Sequence, residues 1–312
     1  MKTEAVKAKL LEYNTPRRVI QLFSFLFFST IIFNLGVLPL LLPVLWTGGL
    51  RGTTVGDAFT TIQLMVSGWN VAFAVFPWLA LASFLIVGVL IGRALCGWVC
   101  PFGFVQDLAG FIRRKQTDLS ARTHESLVYA KYVILALALL IPAVLYALAL
   151  NGMGSYQYAF GVFGQAPFTA VSPSDTLFST VPRAIQSFHS SGLPNLGSDV
   201  LSTLSILPPL FWVQAAIMII VLIFAVYVPR SWCRYFCPHG AFLAIMNRFS
   251  FIGLRREPFK CEKGGCGECV QVCPTRVPIL ELPWEKFSHP ECIYCMKCAD
   301  ACGHKAIKPT FP

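Results

Sequence analysis

Four apolar runs in this sequence are long enough to cross a lipid bilayer, and they limit the fold more than any other feature. They are Val19–Trp46, Asn70–Gly92, Tyr129–Leu150 and Leu207–Val228. A helix needs about 20 apolar residues to cross a hydrocarbon core roughly 30 Å thick. Charged residues make up 13% of the 312, about half the share near 25% of soluble proteins. The pattern excludes an ordinary soluble enzyme and predicts four membrane spans.

The first run follows a basic arm, residues 1–18, and we interpret it as a retained span. A cleavable signal peptide would have an apolar region of roughly 7–15 residues that ends in small residues, whereas this run is far longer and ends in Leu-Trp. Pro39 and Pro43 predict a kink or an early end to this helix. Phe59–Val66 is a candidate for a short helix at the membrane interface.

Basic residues are distributed unevenly among the connections between these runs. The two candidate outer loops, 47–69 and 151–206, contain only Arg51 and Arg183 of the 25 lysines and arginines, and the other 23 lie elsewhere in the chain. Positive residues near spans stay on the cytoplasmic side. The sequence therefore predicts a multi-pass protein of the cytoplasmic (inner) membrane with both termini in the cytoplasm. The net charge of +10 follows from this topology and from anionic lipid, so no nucleic-acid partner is expected.

The twelve cysteines then all lie at the reducing side, where metal ligation or redox chemistry is expected instead of structural disulfides. Four of them belong to a repeat with the pattern R-x2-C-x3-C-P-x-G, which begins at Arg93 and again at Arg230, 137 residues later. Each copy follows a predicted span that runs inward. Proline in the first turn predicts a helix after each cysteine pair, lying on the bilayer surface.

The other eight cysteines form two phased runs in the tail. Cys261-x4-Cys266-x2-Cys269-x3-Cys273 is followed by Cys292-x2-Cys295-x2-Cys298-x3-Cys302, and this spacing resembles a bacterial two-cluster ferredoxin. A pair of zinc knuckles is the alternative. Two complete quartets favour two [4Fe-4S] clusters, although x4 replaces the commoner x2 after the first cysteine and Gly303 stands where proline often follows the last.

The ferredoxin resemblance also implies that the fourth ligand of each cluster comes from the other run. It assigns cluster 1 to Cys261, Cys266, Cys269 and Cys302, and cluster 2 to Cys292, Cys295, Cys298 and Cys273.

The four cysteines of the repeat, Cys96, Cys100, Cys233 and Cys237, have three open interpretations. If the two hairpins pack by pseudo-symmetry, the four thiols converge and hold a further iron-sulfur cluster or act as two redox-active dithiols. In the third interpretation they are small buried apolar residues.

No histidine lies inside a predicted span, so no membrane haem is expected. The span interiors also lack charged residues, which argues against an ion or proton pathway through the bilayer. A quinone headgroup site and plain interfacial anchoring are the alternatives for the polar and aromatic residues that flank the repeat, namely Trp98, Phe102, Gln106, Arg234, Tyr235 and His239.

With the hairpin plan, the paired motifs and the eight-cysteine tail, the chain resembles the NapH-like family of ferredoxin-type membrane proteins, which includes MauN-type proteins and the C-terminal halves of NosR-like regulators. The resemblance implies a membrane electron-transfer subunit of the quinol dehydrogenase type, within a respiratory complex. Its partners would be the quinone pool and other redox subunits, iron-sulfur or cytochrome proteins, some of them periplasmic. An assembly or maturation factor and a redox sensor are the rival functions.

The predicted fold is thus all-α in the membrane, four helices as two repeated hairpins, with a small α+β dicluster ferredoxin-like domain at the C-terminus. The predicted parts are a cytoplasmic arm over 1–18, a membrane domain over 19–250 and a cytoplasmic ferredoxin-like domain over 251–312.

Overall fold

The structure is a computed structural model, and it describes residues 13–28, 58–67, 82, 85–113, 120–160, 162–181, 184, 209–262 and 265–311. These residues belong to two compact units. The first contains the described residues of Met1–Leu26, Ala82–Leu135 and Ala225–Pro312, and the second contains those of Phe27–Leu81 and Ala136–Phe224. All twelve cysteines lie in the first unit.

Helices dominate the described residues. In chain order they are α1 Asn14–Phe28, α2 Ala58–Val66, α3 Ala94–Trp98, α4 Pro101–Ala109, α5 Ala121–Leu148, α6 Gly154–Phe160, α7 Val162–Gln165, α8 Pro167–Val171, α9 Pro173–Asp175, α10 Pro209–Tyr227, α11 Ser231–Tyr235, α12 Pro238–Asn247, α13 Glu268–Gln271 and α14 Lys297–Asp300. Residues 85–91 are also helical. The segment Ala149–Met153 contains a kink, because Asn151 and Gly152 leave helical geometry there. A π-helical segment, Thr176–Thr180, and a 3-10 turn, Pro258–Lys260, complete the helical elements.

Among the described residues, two helical stretches are long and apolar enough to cross a membrane, Arg122–Tyr156 and Pro209–Tyr227. They coincide with the third and fourth predicted runs. The first run is described only as far as Phe28, within α1, and the second only in part, where 85–91 is helical. The remainder of both runs lies outside the described residues, so the four-span plan stays a prediction.

In the second unit, α2 packs against α8. The ring of Phe59 meets that of Phe168 edge to face at 6.0 Å between centroids, and the buried Gln63 Oε1 accepts a hydrogen bond from the Phe168 backbone N–H at 3.3 Å. The short helix predicted over Phe59–Val66 is therefore confirmed as a helix. Its place at the membrane interface stays a prediction.

In the first unit, each copy of the repeat forms a short helix, a break and a second helix that begins with proline. The predicted proline in the first turn is confirmed in α4, at Pro101, and in α12, at Pro238. The buried face of α12 contains Leu243 and Ala244, whereas Ile245 is exposed. A helix that lies on the bilayer surface, as predicted for α12, needs an exposed apolar side of this kind.

The tail is a small α+β arrangement around an apolar core. Strand β1 (Gly253–Arg256) pairs antiparallel with β2 (Ile307–Thr310). Helices α13 and α14 carry the third cysteine of each run, Cys269 and Cys298. The core between these elements contains Leu254, Val277, Ile279, Phe287, Tyr294 and Ile307.

Candidate functional site

Both copies of the repeat place their second cysteine at the N-terminus of a helix. Cys100 and Cys237 are the N-cap residues of α4 and α12, and their sulfurs accept hydrogen bonds from the backbone N–H groups of Gly103 and Gly240, each at 3.4 Å. Proline follows as the first helical residue, where its missing N–H needs no partner. The C-P-x-G part of the repeat is thus a capped helix start.

The glycine of each copy is required by a close approach of the backbone. A Cβ at Gly240 would lie 3.0 Å from the Cys233 carbonyl oxygen, and a Cβ at Gly103 would lie 3.3 Å from that of Cys96. A side chain at either position would push the helix away from the preceding cysteine. Glycine at this position therefore fits the close packing of the helix start against the backbone of the first cysteine.

The arginine that begins each copy reaches across to the other copy. Arg230 Nη1 donates to the Cys96 carbonyl oxygen at 2.8 Å, and Arg93 Nη2 donates to the Cys233 carbonyl oxygen at 3.1 Å. Both guanidinium groups are buried. These reciprocal bonds join the two copies with pseudo-twofold symmetry, which is the packing that the convergence of the four thiols requires.

Each buried arginine is matched by a carboxylate. Arg230 Nε and Nη2 donate to the two oxygens of Asp107, each at 2.8 Å, and Arg17 lies 3.5 Å from the same carboxylate. Burial alone would raise the pKa of Asp107, but the charge and hydrogen bonds of Arg230 outweigh this effect and hold its pKa well below the usual range. Asp107 is therefore ionised at neutral pH.

The second carboxylate comes from the tail. Glu291 accepts a hydrogen bond from Arg93 Nη1 at 2.9 Å and pairs with the fully buried Lys131 of α5. Burial raises the pKa of Glu291, but the charges of Arg93 and Lys131 lower it further than burial raises it. Removing one partner of such a buried pair typically costs about 3–5 kcal/mol, because the other charge remains without compensation.

These two networks leave an excess of positive charge. They contain four cations, Arg17, Arg93, Lys131 and Arg230, and two carboxylates, Asp107 and Glu291. The difference, four minus two, is a net charge of +2 in a buried environment. Such surroundings stabilise negative charge on nearby groups.

The four thiols of the repeat influence one another, and we call them the motif quartet. A hydrogen bond between Cys100 and Cys233 lowers the pKa of Cys233 and raises that of Cys100. Gln106 Nε2 also donates to the Cys233 sulfur at 3.0 Å. Burial raises the pKa of Cys96 to about 11, and the thiolates of Cys233 and Cys237 contribute to that rise. Negative charge in the motif quartet is therefore favoured on Cys233.

The tail contacts both copies of the repeat. Trp98 Nε1 donates to the Tyr294 carbonyl oxygen at 2.8 Å, Asn247 Nδ2 donates to that of Cys292 at 3.1 Å, and Arg234 Nη1 donates to that of Pro274 at 3.4 Å. The N-terminus of α1 also docks on the tail, because the Asn14 backbone N–H donates to the Asp300 carboxylate at 2.8 Å. The tail thus packs in one unit with the repeat.

One face of the tail encloses a cavity lined by four cysteines, the inner quartet Cys273, Cys292, Cys295 and Cys298. Apolar side chains such as Leu254, Val277 and Ile279 form the remaining wall. Burial raises the pKa of Cys298 well above its usual value, and the thiolates of the other three members raise it further. These four cysteines are the ligands that the ferredoxin resemblance assigns to cluster 2.

The outer quartet consists of Cys261, Cys266, Cys269 and Cys302. Burial raises the pKa of Cys269, and the thiolates of the other three contribute to that rise. Cys302 belongs to the second run, as the crossing predicts for cluster 1. Cys261, Cys266 and Cys302 are half-buried, whereas three members of the inner quartet are fully buried.

The donor set fits iron-sulfur clusters. Each tail quartet supplies four thiolates, and backbone N–H groups donate to cysteine sulfur, from Val277 to Cys273 at 3.4 Å and from Ala306 to Cys302 at 3.3 Å. Such hydrogen bonds tune cluster potentials. In the part of the chain that the structure describes, no group of three or more Cys, His, Asp or Glu side chains forms a site for a single metal ion. The assignment of ligands to each cluster stays a prediction.

The residues that flank the repeat are engaged within the protein. The Tyr235 hydroxyl hydrogen-bonds with His124 Nδ1 at 3.0 Å, Gln106 Oε1 accepts from the Trp232 backbone N–H at 3.0 Å, and Phe102 is buried. With the bonds of Trp98 and Arg234 to the tail, these residues fix the repeat in place. A quinone headgroup site at these residues stays a prediction.

Sequence reasoning missed the residues that hold the three quartets together. Arg93 and Arg230 recur in both copies beside apolar segments, and this recurrence was the available signal for a buried role. Lys131 lies at the end of a predicted span, but nothing near it in sequence points to Glu291 as its partner. Asp107 and Asn247 carried no signal.

Gly97→Ala tests the contact between the repeat and the tail. A Cβ at Gly97 would lie 2.1 Å from the Ile293 carbonyl oxygen, so the tail loop must move away. Overpacking of this kind costs roughly 1–3 kcal/mol. We expect a lower thermal unfolding midpoint and faster proteolysis of the tail. Gly154→Ala is the control, since a Cβ there has no neighbour within 4 Å, and an equal effect of both variants would contradict the close packing at Gly97.

A family model described as a 4Fe-4S binding domain matches the chain twice, over residues 72–117 and 210–257. Each match contains one copy of the repeat, and neither includes a tail cysteine. MauN, a methylamine utilization ferredoxin-type protein of Methylobacillus flagellatus, is 25% identical over 301 residues, which are 93% of this chain and 87% of MauN. The ferredoxin-type protein NapH of Haemophilus influenzae also matches. The chain is a NapH-like ferredoxin-type iron-sulfur protein.

Other members of this group of relatives match over shorter ranges. An uncharacterized protein of Methanocaldococcus jannaschii is 28% identical over 237 residues, 74% of this chain and 77% of the relative. The putative electron transport protein YccM of Escherichia coli is 26% identical over 232 residues, and the match spans 72% of this chain and 52% of YccM. The comparison with solved structures finds no match.

Proposed function

We propose that the chain is an integral membrane electron-transfer subunit that passes electrons between the quinol/quinone pool and a partner redox protein through iron-sulfur clusters. The observation that carries the proposal is the contact between the segment that carries the first two cysteines of the motif quartet and the loop that carries two cysteines of the inner quartet. Trp98 and Gly97, inside the first C-x3-C segment, touch the backbone of Ile293 and Tyr294. These residues lie between Cys292 and Cys295 of the inner quartet.

The residues have distinct roles in this proposal. The inner and outer quartets each hold one [4Fe-4S] cluster, which supplies one-electron chemistry when bound. Arg17, Arg93 and Arg230 stabilise the negative charge that thiolates and added electrons bring. Arg17 Nε and Nη1 have no hydrogen-bond partner among the described residues, and the thiolate of Cys295 raises the pKa of Arg17 against the larger lowering by burial. These buried N–H groups are available to a cluster.

The motif quartet is proposed to lie between the quinone and the tail. The charges of Arg93 and Arg230 act on Cys96 and Cys233 and favour an occupant that carries negative charge. Four thiolates around a [4Fe-4S]²⁺ core satisfy this condition, and so do two dithiols that each lose one proton. In the third interpretation, four neutral core thiols, Arg93 and Arg230 serve only to join the two copies through the Cys233 and Cys96 carbonyl oxygens. The family description of both copies as a 4Fe-4S binding domain supports the cluster.

The membrane arrangement completes the proposal. It consists of four spans as two hairpins, cytoplasmic termini and a cytoplasmic tail over 251–312, in the inner membrane. Two described helical stretches that are long and apolar enough to cross a bilayer, together with the basic bias of the inner connections, support it.

Redox sensing is a second candidate, and the regulatory function in the name of one relative favours it. The regulatory protein NosR of Stutzerimonas stutzeri is 28% identical over 217 residues, which span 67% of this chain and 23% of NosR. A sensor would hold its redox state instead of passing electrons on.

Quinol-dependent reduction separates these functions. The anaerobically purified protein, oxidised and placed in lipid nanodiscs, is mixed with menaquinol or ubiquinol analogues, and the visible absorbance of the clusters is followed. We expect bleaching within seconds, followed by repeated turnover when a soluble oxidant is added. Reduction by dithionite but by neither quinol would reject the quinol role, and a single reduction without turnover would favour the sensor.

A further inference from the structure

The two tail quartets differ in their surroundings. The inner quartet faces the repeat, and its loop 292–295 is held by Trp98 and Asn247. The outer quartet has three half-buried cysteines and follows directly after the turn Pro258–Lys260, where the Cys261 backbone N–H donates to the Pro258 carbonyl oxygen at 3.4 Å. The outer quartet is therefore the one closer to the surface of the tail.

An aromatic side chain stands fully exposed on that turn. Phe259 is 102% exposed, and it precedes Cys261 by two residues. A large apolar side chain that is fully exposed to solvent lacks the stabilisation that burial would give it. An exposed aromatic anchor is typical of the centre of a protein interface.

Positive charge surrounds this anchor. Glu257 Oε2 pairs with Lys260 at 2.7 Å, and Glu257 Oε1 pairs with Lys308 at 2.8 Å and lies 3.9 Å from Arg255. Three cations, each between 44% and 53% exposed, share a single carboxylate. Three minus one leaves a net charge of +2 around Phe259. The next acid along the chain, Glu262, lies 3.8 Å from His304 Nε2.

We propose that this surface, Phe259 with Arg255, Lys260 and Lys308, is the docking site of a soluble redox protein whose electron-transfer centre is surrounded by acidic residues. The inference rests on the proposed function and adds the exit point of the electrons. An apolar anchor provides contact, and complementary charge steers the encounter and raises its rate at low salt. Electrons leave through the outer quartet because it lies beside the anchor.

The test measures electron transfer from the reduced full-length protein to plastocyanin, an acidic copper protein, with mitochondrial cytochrome c as a basic counterpart and ferricyanide as a small oxidant. We expect the second-order rate constant for plastocyanin to fall steeply with salt, and Phe259→Ala and Lys260→Glu each to lower it at least tenfold. Cytochrome c should react more slowly than plastocyanin, and its rate constant should rise in the Lys260→Glu variant.

The matched controls are two other exposed side chains of the tail. Trp284→Ala removes another exposed aromatic, which is 54% exposed, and Lys286→Glu reverses another exposed charge. Both should leave the plastocyanin rate unchanged, and ferricyanide, a small oxidant that needs no apolar anchor, should oxidise Phe259→Ala as fast as the original protein. Plastocyanin rates that are the same in Phe259→Ala and the original protein would overturn the docking site. If ferricyanide also fails to oxidise the original protein after reduction, the proposed function itself fails.

Two other occupants of this surface, lipid and a second copy of the chain, would each give a different result. Phe259→Trp in nanodiscs with brominated acyl chains reports on lipid, and quenching of its emission would show that the surface faces the membrane and overturn the proposal. A dimer in detergent that becomes a monomer in Phe259→Ala would identify a second copy of the chain as the occupant and overturn it equally. Unquenched emission and an unchanged mass support the soluble partner.

Discussion

Cys273→Ser is expected to remove about four iron and about four sulfide per chain from the purified protein, because it deletes one ligand of one four-iron cluster. Cys273 belongs to the first cysteine run, but its sulfur lines the same cavity as Cys292, Cys295 and Cys298. The cluster that disappears should therefore be the one held by the second run.

Electron paramagnetic resonance of the reduced protein identifies which cluster is lost. The spectrum of Cys273→Ser should match that of Cys292→Ser and differ from that of Cys269→Ser, whereas Cys302→Ser should match Cys269→Ser. If instead the spectrum of Cys273→Ser matches that of Cys269→Ser, and that of Cys302→Ser matches that of Cys292→Ser, the ligands do not cross between the runs. A preparation with stoichiometric zinc and no labile sulfide would refute the clusters altogether.

The sequence could predict which cysteines form the two tail quartets, because cysteine spacing is a local property and resembles that of a two-cluster ferredoxin. In the predicted assignment, loops of two or four residues bring three thiolates of each run to one centre, and only the exchange of Cys273 and Cys302 requires a tertiary contact. The same holds for the repeat, since the N-cap cysteine, proline and glycine act within one turn of helix.

The contacts that join the quartets depend on positions far apart in the chain. Glu291 is a single acid before Cys292, and its pairing with Arg93 and Lys131 spans 198 and 160 residues. Periodicity and spacing carry no information about such partners. The predicted separation between membrane and tail also hid the contact of Gly97 with Ile293, because a glycine within C-x3-C has no local reason to be there.

The cysteine pairs of the repeat should fail as a unit. The Cys96→Ala/Cys100→Ala variant and the Cys233→Ala/Cys237→Ala variant are each expected to slow quinol-dependent reduction of the tail clusters on the order of 100-fold or more, and the quadruple variant should be little worse, because residues that act together have non-additive effects. The reason is the shared geometry. Arg230 binds the carbonyl of Cys96, Arg93 binds that of Cys233, and the Cys100 and Cys233 thiols hydrogen-bond to each other.

A buried control separates a redox role from packing. Leu243→Ala removes a fully buried side chain from the second helix of the repeat, which typically costs about 2–5 kcal/mol of stability, and it touches no thiol chemistry. It should lower the unfolding midpoint but leave the rate of quinol-dependent reduction nearly unchanged. Double cysteine variants that behave like Leu243→Ala, less stable but fast, would show that the four thiols are core residues. Slow variants of near-normal stability would place the motif quartet between the quinone and the tail, because loss of either pair then interrupts the same step.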